Sequence, residues 1–167
     1  MSQRDQVTLD RIELLHPLLR DEALKIYQKC CSALTGRATV RFTYTTRSFK
    51  EQNLLYAQGR TKPGKVVTKA KAGFSFHNYG LAIDICLIID GKEASWNDLK
   101  DFDYDGLADW MEIVAIFKEF GWEWGGDFKS ILDKPHFQKT FGYKVEKLLT
   151  IYNAGQLDIS GFVKIAA

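Results

Sequence analysis

Hydrophobic residues recur at every third or fourth position between residues 9 and 34. This period predicts two amphipathic helices, separated near Pro17 and ended by Gly36. Hydrophobic and polar residues then alternate over residues 40–45, which predicts a half-buried strand. The first quarter of the chain is therefore expected to form two helices followed by a strand.

The pattern of the remaining chain predicts further short elements. Ser48 and Glu51 have the spacing of a capping box, so a helix is expected to begin there and to end near Gly59. Residues 60–75 are rich in glycine and lysine and are predicted to form a long loop. The later predictions are a buried strand over 81–90 that ends in an Asp90-Gly91 hairpin turn, a helix over 109–120, short strands at 122–124 and 136–138, and a helix over 143–153.

These elements predict an α+β fold in which helices flank a small antiparallel sheet. The chain has 167 residues, of which 46% are hydrophobic and 26% charged, and this composition excludes a disordered chain. We expect one compact domain over residues 1–167, with a core from about 8 to 142 and a C-terminal helix and short extension over 143–167.

Charge is distributed unevenly although the net charge is only +2. No acidic residue lies between Glu51 and Asp84, and this interval holds a group of basic residues: Arg60, Lys62, Lys65, Lys69 and Lys71. Acidic residues dominate from Asp84 to Asp133. This pattern fits an anionic partner beside a metal-binding region, and it fits two solvated loops of opposite sign equally well.

Two of the three histidines lie in carboxylate-containing motifs. These motifs are His77-x6-Asp84 and Asp133-x2-His136, and two imidazoles with one carboxylate suit a catalytic zinc that keeps a position for water. Asp84 lies within an apolar strand, where a carboxylate is costly unless it is paired or binds a metal, and strand alternation puts Ala82, Asp84 and Cys86 on one face. A buried salt bridge or a helix-capping aspartate remains an alternative explanation.

The segments SFHNYGLAIDI and GWEWGGDFKSILDKPHF resemble the two signature segments of a zinc peptidase family. This family contains D-alanyl-D-alanine carboxypeptidases and L-alanyl-D-glutamate endopeptidases, including phage endolysins. TTRSFKEQNLLYAQGRTKPG resembles the arginine-containing segment that precedes them, so the resemblance spans about residues 38–140. The sequences WGGDF and DKPHF look more like the endopeptidase branch.

The resemblance implies a role for each matching residue. His77, Asp84 and His136 would bind the zinc ion, which would lie on the sheet. Asp133 would be the catalytic carboxylate that activates water and protonates the leaving amine, and Arg47 would stabilise the oxyanion. The family pattern also places two polar residues along the peptide cleft as substrate-binding residues, Gln52 and Ser75. A surface ion pair for Arg47, a solvent-facing position for Gln52 and a turn position for Ser75 remain open.

Residues 101–112, DFDYDGLADWME, fit the calcium-loop pattern D-x-D-x-D-G-x5-E. Calcium would be bound by side chains and one carbonyl at six positions: Asp101, Asp103, Asp105, Leu107, Asp109 and Glu112. Because no second loop of this kind occurs, a structural or regulatory ion is expected rather than a paired sensor. An acidic helix N-terminus without an ion is the alternative.

The sequence therefore predicts a zinc metallopeptidase that hydrolyses an amide bond of the peptidoglycan stem peptide, with L-alanyl-D-glutamate as the favoured bond by resemblance. A D-alanyl-D-alanine dipeptidase or carboxypeptidase and a metal-dependent nuclease are the alternatives. We expect a monomer that binds the stem peptide, binds no nucleic acid and inserts into no membrane. The N-terminal segment lacks the apolar stretch of a signal peptide, so we expect the protein to stay in the cytoplasm until release and then to act on the cell wall.

Overall fold

The computed structural model describes residues 5–166 and confirms the α+β class. Its helices are α1 (Gln6–Glu13), α2 (Arg20–Ala33), α3 (Phe49–Ala57), α4 (Asp109–Glu119) and α5 (Val145–Asn153). Its strands are β1 (Ala38–Tyr44), β2 (Ala82–Ile89), β3 (Glu93–Ser95), β4 (Glu123–Trp124) and β5 (His136–Gln138). Three short 3₁₀ turns cover Pro17–Leu19, Phe76–Tyr79 and Gly125–Asp127. The sequence pattern predicted none of these turns as 3₁₀ structure, and at the first of them it predicted only a break between two helices near Pro17.

Local side-chain chemistry fixes the start of α3. The Ser48 hydroxyl accepts a hydrogen bond from the Glu51 backbone N–H at 3.0 Å, and the Glu51 carboxylate accepts one from the Ser48 N–H at 2.8 Å. Two backbone donors that the helix itself leaves unpaired are thereby satisfied. The predicted capping box is confirmed.

β2 is the central strand of a five-stranded antiparallel sheet with the order β1-β2-β5-β4. β1 pairs along one edge of β2. β3 pairs with the C-terminal end of β2 at Leu87–Ile89. β5 pairs with the N-terminal end of β2 at Ala82–Asp84. The register of β5 places His136 directly opposite Asp84. Two residues that are 52 positions apart in sequence thus become neighbours on one face of the sheet.

The two faces of β2 have different surroundings. Ile83, Ile85 and Leu87 point into the hydrophobic core, where α1, α2 and α4 cover the sheet. Ala82, Asp84 and Cys86 lie on the opposite face because side chains alternate along a strand. The prediction that these three residues share a face is confirmed, and Asp84 is thereby kept out of the apolar core.

The C-terminal extension packs against the first helical region through His16. The His16 Nε2 donates to the Val163 carbonyl at 2.8 Å, and the His16 backbone N–H donates to the Gly80 carbonyl at 3.0 Å. Gly80 has a φ of +69°, and a Cβ there would lie 2.4 Å from the His16 nitrogen. Glycine is therefore required where this contact meets the 3₁₀ turn Phe76–Tyr79.

The remaining sequence features have structural roles. Trp110, Trp122 and Trp124 belong to the hydrophobic core, and the three cysteines are free thiols. None of the helices within residues 5–166 combines the length and the apolar character that crossing a bilayer requires.

Candidate active site

The centre of the candidate site lies on the face of the sheet that points away from the core. The Asp84 Oδ1 is 3.1 Å from the His77 Nε2 and 3.0 Å from the His136 Nδ1. His77 and His136 are almost fully buried, and the Asp84 side chain is 21% exposed. The three predicted zinc ligands therefore converge, although they come from the 3₁₀ turn before β2, from β2 itself and from β5.

Hydrogen bonds fix which ring nitrogen of each imidazole faces Asp84. The His77 Nδ1 lies 2.6 Å from the Thr45 carbonyl oxygen, and the His136 Nε2 lies 2.8 Å from the Gln138 side-chain oxygen. Because both oxygens accept, these nitrogens carry the proton of each neutral imidazole, and in that neutral form the lone pairs of the opposite nitrogens face Asp84. Imidazoles oriented in this way are typical of metal sites.

The donor set fits a zinc ion. Two nitrogens and one carboxylate oxygen are ligands that zinc prefers, and these atoms lie within 4.8 Å of one another. Ligand atoms that sit about 2.0 to 2.1 Å from a tetrahedral ion are separated by roughly 3.3 Å. The observed separations of 3.1 and 3.0 Å are close to that spacing.

The local charges keep Asp84 ionised. Burial on its own raises the pKa of the Asp84 carboxyl, but without an ion the imidazoles can be protonated, and the charge of His77 and the hydrogen bonds that His136 and His77 then donate outweigh the effect of burial. The pKa of Asp84 therefore lies well below its usual range. Burial lowers the pKa of His136, yet its hydrogen bond to Asp84 and the charge of Asp84 raise it above the usual value.

Asp133 lies at the edge of this cluster. Its side chain is 54% exposed, and its Oδ2 is 4.0 Å from the His136 Nδ1. Burial and the negative charge of Asp84 raise the pKa of Asp133, against the opposing charges of both imidazoles and Arg47. A partly exposed carboxylate beside the cluster of His77, Asp84 and His136 is suitably placed to exchange protons with a bound water and a leaving group.

The backbone of Arg47 is tied to the same turn as His77. The Arg47 N–H donates to the His77 carbonyl at 2.9 Å, and the Asn78 side-chain amide donates to the Arg47 carbonyl at 3.1 Å. The guanidinium lies over the Tyr44 ring at 5.2 Å. Its Nε is buried and has no hydrogen-bond partner among residues 5–166. Arg47 and Tyr44 both line the cleft that contains the cluster.

Gln52 and Ser75 occupy different positions in the site. Ser75 lines the cleft, and its hydroxyl accepts a hydrogen bond from the His77 N–H at 3.3 Å, which caps the 3₁₀ turn. Gln52 is fully buried behind Arg47, and its side-chain oxygen accepts from the Arg47 Nη1 at 3.1 Å. Of the two polar residues that the sequence assigns to the substrate cleft, Ser75 thus lies on the cleft wall and Gln52 lies behind that wall.

The cleft has a volume of about 470 Å³. The long loop predicted over residues 60–75 contributes one wall through Val67, Thr68 and Ala70, and Phe128 lies on its lining beside Asp133. The sequence analysis did not identify Gln138 or the Thr45 carbonyl as orienting groups. Strand alternation alone indicates that Gln138 shares a face with His136, whereas no sequence signal reveals the role of a backbone carbonyl.

The acidic loop, residues 101–112, lies apart from the cleft. Oxygen atoms of Asp101, Asp103 and Asp109 form one group, and those of Asp103, Asp105 and Glu112 form a second, each within 4.8 Å. Burial and the neighbouring carboxylates raise the pKa of Glu112 to about 7. Within residues 5–166, the buried atoms Asp103 Oδ1, Asp109 Oδ2 and Glu112 Oε2 have no hydrogen-bond partner.

The sequence has clear similarity to known peptidases. A sequence profile described as D-alanyl-D-alanine carboxypeptidase matches residues 68–139. The peptidoglycan L-alanyl-D-glutamate endopeptidase CwlK of Bacillus subtilis (strain 168) is 45% identical over 124 residues, which cover 74% of this chain and 72% of CwlK. The L-alanyl-D-glutamate peptidase of Listeria phage A118 is 34% identical over 70 residues, covering 42% of this chain and 22% of that protein.

The fold is also similar to that of a solved structure. The crystal structure of the Serratia marcescens L-Ala D-Glu endopeptidase ChiX superposes with a TM-score of 0.53 and 22% sequence identity. The match covers 81% of this chain and 87% of ChiX.

Proposed function

The chain belongs to the zinc peptidase family of D-alanyl-D-alanine carboxypeptidases and L-alanyl-D-glutamate endopeptidases, and we propose that it hydrolyses the L-alanyl-D-glutamate bond of the peptidoglycan stem peptide. The observation that carries the chemistry is the convergence of His77, Asp84 and His136 beside Asp133 in one cleft. The choice of bond is supported by the 45% identity to an L-alanyl-D-glutamate endopeptidase.

His77 through Nε2, Asp84 through Oδ1 and His136 through Nδ1 are the residues that would hold the zinc ion. When bound, such an ion lowers the pKa of a coordinated water to about 7 and polarises the substrate carbonyl. The remaining chemistry belongs to two side chains of the cleft, Asp133 and Arg47.

Asp133 acts as general base and general acid. Its carboxylate takes a proton from the attacking water and later delivers that proton to the leaving amine of D-glutamate. Arg47 holds the substrate carbonyl oxygen as negative charge develops on it, since its guanidinium is fixed by Gln52 and Tyr44 and its Nε has no partner among the described residues. Ser75 supports the reaction by capping the turn that carries His77, while its side chain borders the substrate.

Digestion of purified peptidoglycan, followed by mass spectrometry of the products, tests this proposal. We expect new D-glutamate amino termini, and none when a zinc chelator is present. Asp133→Asn should keep zinc by elemental analysis and lose at least about 100-fold in kcat, whereas His136→Ala should lose zinc. Release of D-alanine would instead assign the D-alanyl-D-alanine peptidase alternative, and a zinc-loaded protein that cuts neither bond would refute the proposal.

We further propose that the acidic loop binds calcium. Asp109 is fully buried, its Oδ1 accepts from the Phe102 N–H at 2.7 Å, and its Oδ2 has no hydrogen-bond partner within residues 5–166. A carboxylate oxygen of Asp109 lies within 4.8 Å of oxygens of Asp101 and Asp103. Burying an unpaired carboxylate oxygen among other carboxylates is unfavourable unless a cation joins them. An all-oxygen ligand set favours calcium over zinc.

A monomeric state and cytoplasmic retention before release remain predictions.

A further inference from the structure

The loop between α3 and the 3₁₀ turn of His77 carries an unusual density of positive charge. Its five cations, which define the basic loop (residues 60–71), are all exposed to solvent: Arg60, Lys62, Lys65, Lys69 and Lys71. The sequence contains no acidic residue between Glu51 and Asp84 that would balance them. The basic loop therefore holds five positive charges and no negative one, and the acidic residues on the depressions beside it are Asp133 and Glu146.

No cation of the basic loop forms an ion pair with a carboxylate of residues 5–166. Elsewhere in the same range six basic side chains do so: Lys29, Arg37, Arg41, Lys118, Lys134 and Lys139. The charges of these six side chains are neutralised by partners, whereas those of the basic loop are left to solvent or to a ligand.

Arg60 and Gln58 hold the backbone of the basic loop in place. The Arg60 guanidinium donates to the Tyr56 carbonyl at 2.7 Å and to the Thr68 carbonyl at 3.0 Å, and it lies 3.9 Å from the centre of the Tyr56 ring. The Gln58 side-chain amide donates to the Lys65 carbonyl at 3.1 Å. The lysine side chains are therefore displayed from an anchored backbone, while Arg60 is occupied in anchoring it.

The basic loop also borders the catalytic cleft. Its residues Val67, Thr68 and Ala70 line the cleft itself. Lys69 lies on two neighbouring depressions, one shared with Asp133 and one shared with Lys71 and Phe74. Lys69 and Lys71 therefore lie next to the cleft, on the side formed by the basic loop.

We propose that the basic loop is a binding surface for the carboxylates of intact peptidoglycan, engaging stem peptides next to the one being cut; this inference rests on the proposed function. The D-glutamate of each stem peptide carries a carboxylate, so the substrate polymer presents a repeated array of negative charges. Lysine ammonium groups act as point charges without a fixed geometry, which suits such an array. Phosphate-containing wall polymers are the competing anion, but the position of the loop on the cleft wall favours anions of the substrate itself.

The test compares Lys65→Gln/Lys69→Gln/Lys71→Gln with the matched control Lys25→Gln/Lys92→Gln/Lys164→Gln, which removes three exposed lysines elsewhere. Both sets are placed in an Asp133→Asn background so that the wall is not digested, and binding is measured by co-sedimentation with insoluble sacculi. The sacculi are first freed of phosphate polymers with hydrofluoric acid. We expect about tenfold weaker binding for the loop variant at low salt, no change for the control, and a difference that disappears at high salt.

Two further arms identify the anion and separate this proposal from the proposed function. In the first arm, the wall carboxylates are converted to amides with carbodiimide and ammonia. The protein with the unsubstituted loop should then bind these sacculi as weakly as the loop variant binds untreated ones. With Asp133 intact, the loop variant should cleave a short soluble stem peptide with an unchanged kcat. Equal binding of loop variant and control, or a difference seen only before hydrofluoric acid treatment, would overturn the inference. Failure of the unaltered protein to cleave the soluble peptide would instead count against the proposed function, whatever the binding result.

Discussion

At the scale of single residues, the Gln52 side chain is hydrogen-bonded to four other groups around the site. Direct contact with a substrate would not require so many bonds within the protein. Its side-chain oxygen accepts from Arg47 at 3.1 Å and from Asn78 at 3.4 Å. Its amide nitrogen donates to the Ala70 carbonyl at 2.8 Å and to the Thr68 hydroxyl at 3.5 Å. All four hydrogen-bonding positions of the amide are therefore used within the described structure. We infer that Gln52 acts on the reaction by positioning Arg47 and the cleft wall.

Two substitutions of Gln52 separate positioning from general stability. Gln52→Met removes every hydrogen bond, and we expect kcat/KM to fall by about 100-fold, the scale of losing one oriented transition-state donor. Gln52→Glu keeps an acceptor for Arg47 but loses the donors to Ala70 and Thr68, so it should retain more kcat than Gln52→Met. Steady-state kinetics and thermal melts check this order.

The melting temperatures provide the control for the Gln52 variants. A purely structural glutamine would lose activity in proportion to stability in both variants. If kcat follows the melting temperature alone, with no advantage for Gln52→Glu, Gln52 does not position Arg47.

At the scale of elements, the 3₁₀ turn Gly125–Asp127 determines where Asp133 lies. The Asp133 N–H donates to the Gly125 carbonyl at 2.9 Å, and the Asp133 carbonyl accepts from the His136 N–H at 3.1 Å. A Cβ at Gly125 would lie 2.1 Å from the Asp133 carbonyl oxygen, a distance that no packed atoms tolerate. The absence of a side chain at Gly125 therefore allows Asp133, the proposed catalytic carboxylate, and His136, a proposed zinc ligand, to share one tight backbone arrangement.

Gly125→Ala should accordingly shift Asp133 and reduce kcat by about 100-fold, because a misplacement of about 1 Å in an active site has effects of that size. The matched control is Gly91→Ala in the β2–β3 turn, where φ is +68° and no heavy atom lies within 4 Å of the new Cβ. The control should lose about 1 kcal/mol of stability and keep its kcat. Assays well below both melting temperatures make the comparison, and equal kcat values would contradict the role given to Gly125.

At the scale of the whole molecule, local signals predicted the elements well and their assembly less completely. The Ser48–Glu51 box and the alternation around Asp84 are local patterns, and both were confirmed. The pairing of Asp84 with His136 depends on the register between β2 and β5, and resemblance to a family, not periodicity, indicated that they meet. The link from Gln52 to Ala70 could not be predicted because it joins a helix to an irregular loop through a backbone carbonyl.

The acidic loop shows how one local motif acts on the whole fold. Besides its own turns, it contacts the connection between α2 and β1, where the Asp103 carboxylate accepts from the Thr35 N–H and hydroxyl at 3.0 Å each. Asp109 and Glu112 lie in the first turn of α4, which packs against α2. An ion bound by these carboxylates would tie α2, β1 and α4 together, so its binding energy would stabilise the entire domain.

Calcium should therefore raise the melting temperature. Free calcium at 100 times its Kd contributes about 2.7 kcal/mol, which corresponds to roughly 5 to 10 °C for a chain of this size. Asp109→Asn keeps the acceptor for the Phe102 N–H and replaces the partnerless oxygen by an amide, so it should fold without calcium and lose most of the shift. Asp21→Asn, an exposed aspartate in the first turn of α2, should respond as the unaltered protein does. The contrary result is a melting temperature of the unaltered protein that does not change with calcium, magnesium or a chelator. That result would show that the carboxylates are arranged without an ion, and the calcium site would have to be rejected.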